Sequence, residues 1–172
     1  MILYTRKKNY MPNITINGEQ LDDEWAQFLD DTCGAVAVSH YVDDVCYDAL
    51  DKLLQYDLQV NIHKLVARET YDSCFTLMKD IQNDPRLKGL NAIVFVSLKE
   101  IGERNDYHRI TNGEFQHLVD FGLKYNMPMG FDTCSAKKFL SCVQDHPKLD
   151  EMRLVVEPCE SSLFSLYINS NG

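Results

Sequence analysis

The sequence lacks the motif spacings that mark several common protein classes. Its eight glycines form neither G-x-G-x-x-G nor G-x-x-x-x-G-K-[ST], which weighs against the two commonest nucleotide-binding folds. Its six cysteines include no C-x-x-C pair, so a zinc ribbon or a dithiol redox motif is not supported. No apolar run approaches the ~20 residues of a membrane span, and the amino-terminal charges follow the apolar residues, the wrong order for a signal peptide. We therefore expect a soluble, cytoplasmic protein with no membrane partner.

Positive charge is also scarce. The chain of 172 residues has 17 Lys and Arg against 26 Asp and Glu, a net charge of -9. A protein that binds nucleic acid through backbone phosphates needs a basic surface, so no nucleic-acid partner is expected. Hydrophobic residues make up 45% of the chain, which is typical of a folded domain, and the length fits a single core.

The sequence does contain a regular alternation of strand-like and helix-like segments. Apolar and β-branched runs predict strands at 13–18, 35–39, 58–66, 92–98 and 127–131. Helical spacing of apolar residues predicts helices at 21–32, 43–56, 69–83, 112–125 and 134–143. The run 154–156 indicates one more strand. Helical crossovers are what parallel pairing requires, so the predicted fold class is α/β with a parallel sheet. Two architectures fit this pattern: an open doubly wound sheet and part of a (β/α) barrel.

Polar side chains stand where the predicted strands end. The strand ends carry Asn17, Ser39, His63, Ser97 and Cys134. In a parallel barrel the ligand binds at the carboxyl ends of the strands, so this layout is that of a ligand site. Polar residues also collect at strand ends simply because these ends meet solvent. For His63 the two interpretations are a ligand contact at the barrel mouth and a histidine hydrogen-bonded inside the barrel.

Most of the cysteines fit the role of small buried hydrophobic residues. We interpret Cys33, Cys46, Cys74 and Cys142 in this way, because the chain is large enough to fold without disulfides. The loop after the fourth predicted strand contains Tyr107-His108, a pair suited to acid–base work, but the order of residues pairs neither with a nucleophile.

Several segments resemble the radical S-adenosylmethionine (radical SAM) enzymes. The segment 12–18 (Pro-Asn-Ile-Thr-Ile-Asn-Gly) resembles the third strand of that family, and 36–39 (Val-Ala-Val-Ser) resembles the fourth. The segment 60–66 resembles the fifth strand, and 93–102 resembles the sixth with its exit loop. Cys159 and Gly172, with twelve residues between them, resemble the first half of the SPASM pattern C-x9–15-G-x4-C.

The resemblance implies an incomplete parallel partial (β/α) barrel with a short C-terminal extension. Residues 1–126 would be the C-terminal portion of the barrel, and residues 127–172 a strand–helix appendage with the start of a SPASM-type extension. The hallmark C-x3-C-x2-C, whose thiolates hold a [4Fe–4S] cluster, is absent, as is the Gly-Gly-Glu of the second strand. Both ends of the chain are therefore expected to be cut, which would leave the first strand as an open sheet edge.

The resemblance also implies a cofactor site. S-adenosylmethionine (AdoMet) would meet Asn17, Ser39 and His63 through its adenosine half. Cys159 and Cys134 are the candidate ligands of an auxiliary iron–sulfur cluster, although a buried thiol is an equal interpretation of Cys134. Relatives with a SPASM extension often modify peptides or proteins, so a peptidyl substrate is implied for the parent enzyme.

Three functional hypotheses follow. In the first, the chain is a fragment of a radical SAM enzyme and is inactive alone, because a partner chain or a missing N-terminal segment supplies the cluster. In the second, it is a non-catalytic α/β accessory module that docks through its exposed first strand. In the third, it is an ordinary open α/β domain without metal.

Overall fold

Helices and strands alternate along the computed structural model, which describes residues 1–99 and 106–156. Their bounds are α1 (Ile2–Lys7), β1 (Asn13–Ile16), α2 (Asp23–Thr32), β2 (Ala35–Ser39), α3 (Asp43–Leu53), β3 (Gln59–Val66), α4 (Tyr71–Asn83), β4 (Ala92–Ser97), α5 (Asn112–Lys124), β5 (Met129–Phe131), α6 (Ala136–Cys142) and α7 (Leu149–Val155). None of the helices within these two ranges is long and apolar enough to cross a bilayer.

Side-chain caps explain where two of the helices begin. The Asp22 carboxylate accepts a hydrogen bond of 2.8 Å from the Trp25 N–H at the start of α2. At the start of α5, Thr111 and Glu114 form a reciprocal capping box: the Thr111 hydroxyl accepts from the Glu114 N–H, and the Glu114 carboxylate accepts from the Thr111 N–H. Both caps satisfy backbone donors that have no partner inside the helix.

The described strands form one sheet in which spatial order equals chain order, β1-β2-β3-β4-β5. Each neighbouring pair is parallel. A doubly wound sheet needs a point where the strand order reverses, and there is none among these five strands. The predicted parallel α/β fold is confirmed, and the open sheet is consistent with a partial barrel. β5 pairs with β4 and so belongs to the same sheet as the earlier strands.

The hydrophobic core lies on one face of this sheet, which we call the covered face. Alternate strand residues point into it and are almost fully buried: Val36, Val38, Val60, Ile62, Ile93 and Phe95. They pack against α2–α5 through residues that include Leu29, Leu50, Leu77 and Leu118. The right-handed crossover between parallel strands places consecutive helices on the same side, which explains why one face collects the core.

The C-terminal end corrects one prediction. The run 154–156 was expected to be a strand, but Leu149–Val155 is α7. Leu149, Met152 and Val156 pack against a second small core that contains Phe139. Their spacing of three and four residues is helical, and Asp150 and Glu151 suit the first turn of a helix. This helical pattern over 149–156 outweighs the β propensity of residues 154–156. Cys159 and Gly172 lie outside the described residues.

Candidate functional site

The face of the sheet opposite the core, here called the open face, has a row of polar and small residues that begins where β1 and β2 end and continues across the middle of β3 and β4. The prediction that His63 stands at a strand end is wrong, because β3 runs on to Val66. Ser39 and His63 are register partners across β2 and β3, and His63 pairs in turn with Val94. Successive strand residues point to opposite faces, so these three side chains point away from the covered face. Asn17 comes one position after the Ile16–Val38 pair, which places it beside Ser39. The structure thus sets Ser39 beside His63 and places the backbone of Asn17 next to Ser39. Asn17 itself is exposed and lines a cleft with Ile14 and Ile16 of the covered face.

The Asn17-Gly18 turn fixes the first position of this row. The Asn17 side-chain oxygen accepts a hydrogen bond of 3.1 Å from the Glu19 N–H. Gly18 has a φ of 80°, and a Cβ there would lie 3.1 Å from both Ala49 Cβ and Val38 Cγ1. Only glycine meets both requirements without strain, so the Asn-Gly pair sets how the chain leaves β1.

His63 brings a neutral hydrogen-bonding ring to the row. Burial lowers the pKa of His63 below its usual value of 6.5, so the imidazole is uncharged at neutral pH. A neutral imidazole has one donor and one acceptor nitrogen. Ala35 and Ala37 on β2 and Gly130 on β5 are small residues that share the open face with it. The row can therefore donate hydrogen bonds to an uncharged polar ligand and accept hydrogen bonds from it.

Behind Ser39 and His63, on the covered face, lies a polar network that sequence reasoning missed. Lys64 Nζ donates to His40 Nδ1 over 2.9 Å, and only 4% of Lys64 and 6% of His40 is exposed. His40 Nε2 lies 2.9 Å from the Asp43 carboxylate, with an alignment too bent for a full hydrogen bond. Burial lowers the pKa of both Lys64 and His40, and in His40 the nearby Lys64 lowers it further.

This network joins two of the strands that carry the row. The His40 backbone N–H also donates to the His63 carbonyl over 2.9 Å. Main-chain and side-chain bonds together hold the end of β2 to β3. The sequence has one signal for it: the buried positions of β3 are Val60, Ile62, Lys64 and Val66, and a lysine in such an alternation needs a buried partner.

The cysteines in the described part of the chain do not assemble into a metal site. Cys33, Cys46 and Cys74 are buried, as predicted, and Cys142 is half-buried. Cys134 is exposed, in a short turn after β5, so it is not the buried thiol of the alternative interpretation. Among residues 1–99 and 106–156, no three His, Cys, Asp or Glu side chains are placed to hold a metal ion. This part of the chain therefore does not fit an iron–sulfur cluster, and Cys159 lies outside it.

Two other polar contacts hold loops at the carboxyl edge. The Glu69 carboxylate accepts from the backbone N–H of His108 and lies 2.7 Å from its ring, and these contacts lower the pKa of Glu69 to about 2. The Ser97 and Ser135 hydroxyls are hydrogen-bonded, and Ser135 donates to Asp132. The role of His108 that the structure shows is to anchor its loop, not to pair with a nucleophile.

Comparison with known proteins supports the fold. No family model matches the sequence, and no curated protein matches it. The solved structure of native anSMEcpe with bound AdoMet is similar over 81% of this chain, with a TM-score of 0.55 and 17% sequence identity. The match covers 45% of that chain, so this chain spans less than half the length of its neighbour. At this level of identity the likeness shows a shared fold.

Proposed function

We propose that this chain is part of a radical SAM enzyme, and that the row Asn17, Ser39 and His63 binds the adenosine half of AdoMet. The observation that supports the proposal is that Ser39, at the end of β2, lies beside His63 on the open face, with Asn17 directly after the end of β1. Parallel barrels bind ligands near the carboxyl ends of their strands. The fold shared with an AdoMet-bound protein supports it, as do the strand motifs of the sequence.

The chemistry of the row suits a nucleoside. The Ser39 hydroxyl can both donate to and accept from a ribose hydroxyl, and a neutral His63 can do the same at its two nitrogens. Because the ring is uncharged, it does not repel the sulfonium charge of AdoMet. AdoMet reduced at a [4Fe–4S] cluster supplies a carbon radical in this family. The part proposed for these residues is to bind and orient the nucleoside.

A direct binding measurement tests this site. We expect the purified chain to bind labelled AdoMet saturably in equilibrium dialysis. Ser39→Ala and His63→Ala should each weaken this binding several-fold, because each variant loses about 0.5–1.5 kcal/mol of hydrogen bonding. Ser141→Ala and His117→Ala remove the same groups from exposed positions on α6 and α5 and should bind as the parent does. Equal losses in the controls, or no saturable binding, would contradict the proposal.

The parent enzyme is proposed to modify a peptide or protein, and the chain alone to be inactive. The substrate class rests on the SPASM-like Cys159 and Gly172, and the inactivity on the lack of C-x3-C-x2-C in these 172 residues. After anaerobic reconstitution with iron, sulfide and a reductant, the chain should release no 5′-deoxyadenosine from AdoMet. Turnover measured by mass spectrometry would refute this.

The unpaired side of β1 supports a second candidate, an accessory module that docks through this strand. Within the described ranges β1 pairs only with β2, and Asn13 and Thr15 are exposed. An unpaired strand offers main-chain donors and acceptors to another strand. Thr15→Pro removes one such donor and should reduce any concentration-dependent association in sedimentation velocity. Thr15→Val, which keeps the backbone N–H, serves as the control.

A further inference from the structure

The outer side of β1 presents main-chain groups that have no strand beside them among residues 1–99 and 106–156. The Gly34 N–H donates to the Pro12 carbonyl over 3.0 Å, so this carbonyl faces β2. Main-chain groups alternate in direction along a strand, so the N–H and C=O groups of Asn13 and Thr15 face away from β2. Both residues are exposed. This side of β1 is therefore an edge to which another strand can be added.

The side chains of β1 alternate between polar and apolar. Asn13 and Thr15 share the open face with the alanines of β2. Ile14 and Ile16 are half-buried, and they line a cleft of about 310 Å³ together with Trp25, which is 56% exposed. Each isoleucine pairs with a valine of β2 on one side and has no cross-strand neighbour on the other among the described strands. An added strand with apolar residues at the matching positions would cover this surface.

Charge is divided between the two ends of β1. Basic residues come before its amino end and acidic residues after its carboxyl end: Arg6, Lys7 and Lys8 against Glu19, Asp22, Asp23 and Glu24. Within one chain, Arg6 Nη1 lies 3.1 Å from Met11 Sδ, and Lys8 Nζ lies 5.6 Å from the centre of the Tyr4 ring, both uncharged groups. In an antiparallel pair the amino end of each strand meets the carboxyl end of the other. Two copies of β1 paired in this way bring opposite charges together at both ends.

We propose that the strand added to β1 is β1 of a second copy of this chain, antiparallel and related by a twofold axis at Thr15. In this register Thr15 lies opposite its own copy, and Ile14 lies opposite Ile16 of the second copy, so β-branched side chains meet at each pair. Each copy has a net charge of -9, so two copies repel each other in general, and the local opposite charges select the antiparallel approach. The inference rests on the second function proposed above, docking through β1, and names the partner.

Disulfide trapping tests the register. In a pair centred on Thr15 the two Cα atoms of residue 15 are about 5.5 Å apart, which a disulfide can span. The two copies of residue 13 are displaced by four residues along the strands and are roughly 15 Å apart. In a Cys134→Ser background, which removes an exposed thiol, Thr15→Cys should form an intermolecular disulfide at least about tenfold faster than Asn13→Cys. Both positions are exposed on the same strand, and peptide mass mapping locates the bond.

Sedimentation velocity over about a hundredfold range of concentration tests the role of charge. The unmodified chain should form a dimer as its concentration rises. Lys7→Glu should weaken the dimer about threefold or more, because the twofold axis places the reversed charge near acidic residues twice. Lys79→Glu makes the same change at an exposed position of α4 and should leave the dissociation constant within about twofold.

Hydrogen exchange of the unmodified chain separates failure of this inference from failure of the proposed docking. The Asn13 and Thr15 amides should exchange more slowly as the protein concentration rises. Fast exchange at every concentration would overturn the second copy as the partner and would leave the edge free for a different one. Slow exchange in a chain that sediments as a monomer would overturn both, since the edge would then be covered within one chain.

Two further results would overturn the inference. These are equal rates of disulfide formation in Thr15→Cys and Asn13→Cys, and equal weakening of the dimer in Lys7→Glu and Lys79→Glu. None of these experiments measures AdoMet binding, so their outcome is independent of the AdoMet site.

Discussion

The two faces of the sheet differ in what their side chains do. On the covered face β2 presents Val36 and Val38, both fully buried against helices. On the open face the same strand presents Ala35, Ala37 and Ser39. All three side chains are small, and the last of them, Ser39, has a hydroxyl. Apolar burial, which stabilises the fold, is thus concentrated on one side. The other side carries shorter side chains: Ala37 there is only 7% exposed, whereas Ala35 and Ser39 are half-buried.

The largest expected effect compares two neighbours on β4. Phe95 is 1% exposed and packs against Phe131 with ring centres 5.7 Å apart, whereas Val94 lies half-buried on the open face. Phe95→Ala should lower the free energy of unfolding by about 3–5 kcal/mol, because a large cavity remains. Val94→Ala should cost about 1 kcal/mol. Urea unfolding measures the free energy of unfolding of both variants. Equal losses would contradict the inference that the core lies on the covered face.

A somewhat smaller effect is expected from the Lys64–His40 network on the covered face. His40→Ala leaves the buried Lys64 amine without its acceptor and should cost about 1–3 kcal/mol. The double variant His40→Leu with Lys64→Met removes both buried polar groups and should be nearly neutral or stabilising. The same unfolding experiment measures both variants. A large loss in the double variant would mean that the network stabilises the core, contrary to the division of roles between the faces.

The pH dependence of stability provides a further test of the buried His40. Burial lowers the pKa of His40 in the folded state below 6.5, so the unfolded chain binds a proton more readily. Stability is therefore fully present above pH 6.5 and falls as the pH drops below it, by at most about 1.4 kcal/mol per pH unit from this residue. Urea unfolding at pH 7.5 and 5.5 should show the fall. His40→Leu should flatten it, and an unchanged slope would contradict this assignment.

The smallest effect is expected on the open face, away from the proposed row. Asn61 accepts a hydrogen bond of 2.7 Å from the Asn91 amide at an exposed position. Asn61→Ala should change the free energy of unfolding by about 0.5 kcal/mol, because water replaces the lost partner. It should leave AdoMet binding unaltered, unlike His63→Ala. Differential scanning fluorimetry and dialysis measure the two quantities.

Periodicity predicted most of the architecture, because each element carries its own local signal. The small apolar run 35–39 became β2 with the same bounds, and helical spacing identified α2 through α5. The exception was α7. Its residues 154–156 favour a strand, and the helical spacing of its apolar residues becomes evident only from the second core that they form with Phe139.

The site was less predictable, since it depends on register between strands that are distant in the sequence. The sequence placed Ser39 and His63 at strand ends, but only the parallel pairing sets them side by side. Lys64 and His40 are 24 residues apart, and no local pattern joins them.

Spatial order equal to chain order has a practical consequence for protein engineering. The amino-terminal and carboxyl-terminal strands lie at opposite borders of the sheet, separated by four inter-strand steps of about 4.8 Å, or roughly 19 Å. A tag fused before residue 1 would be joined only twelve residues before β1, whose outer side is unpaired among the described strands. Such a tag should therefore be removed before docking at that side of β1 is measured.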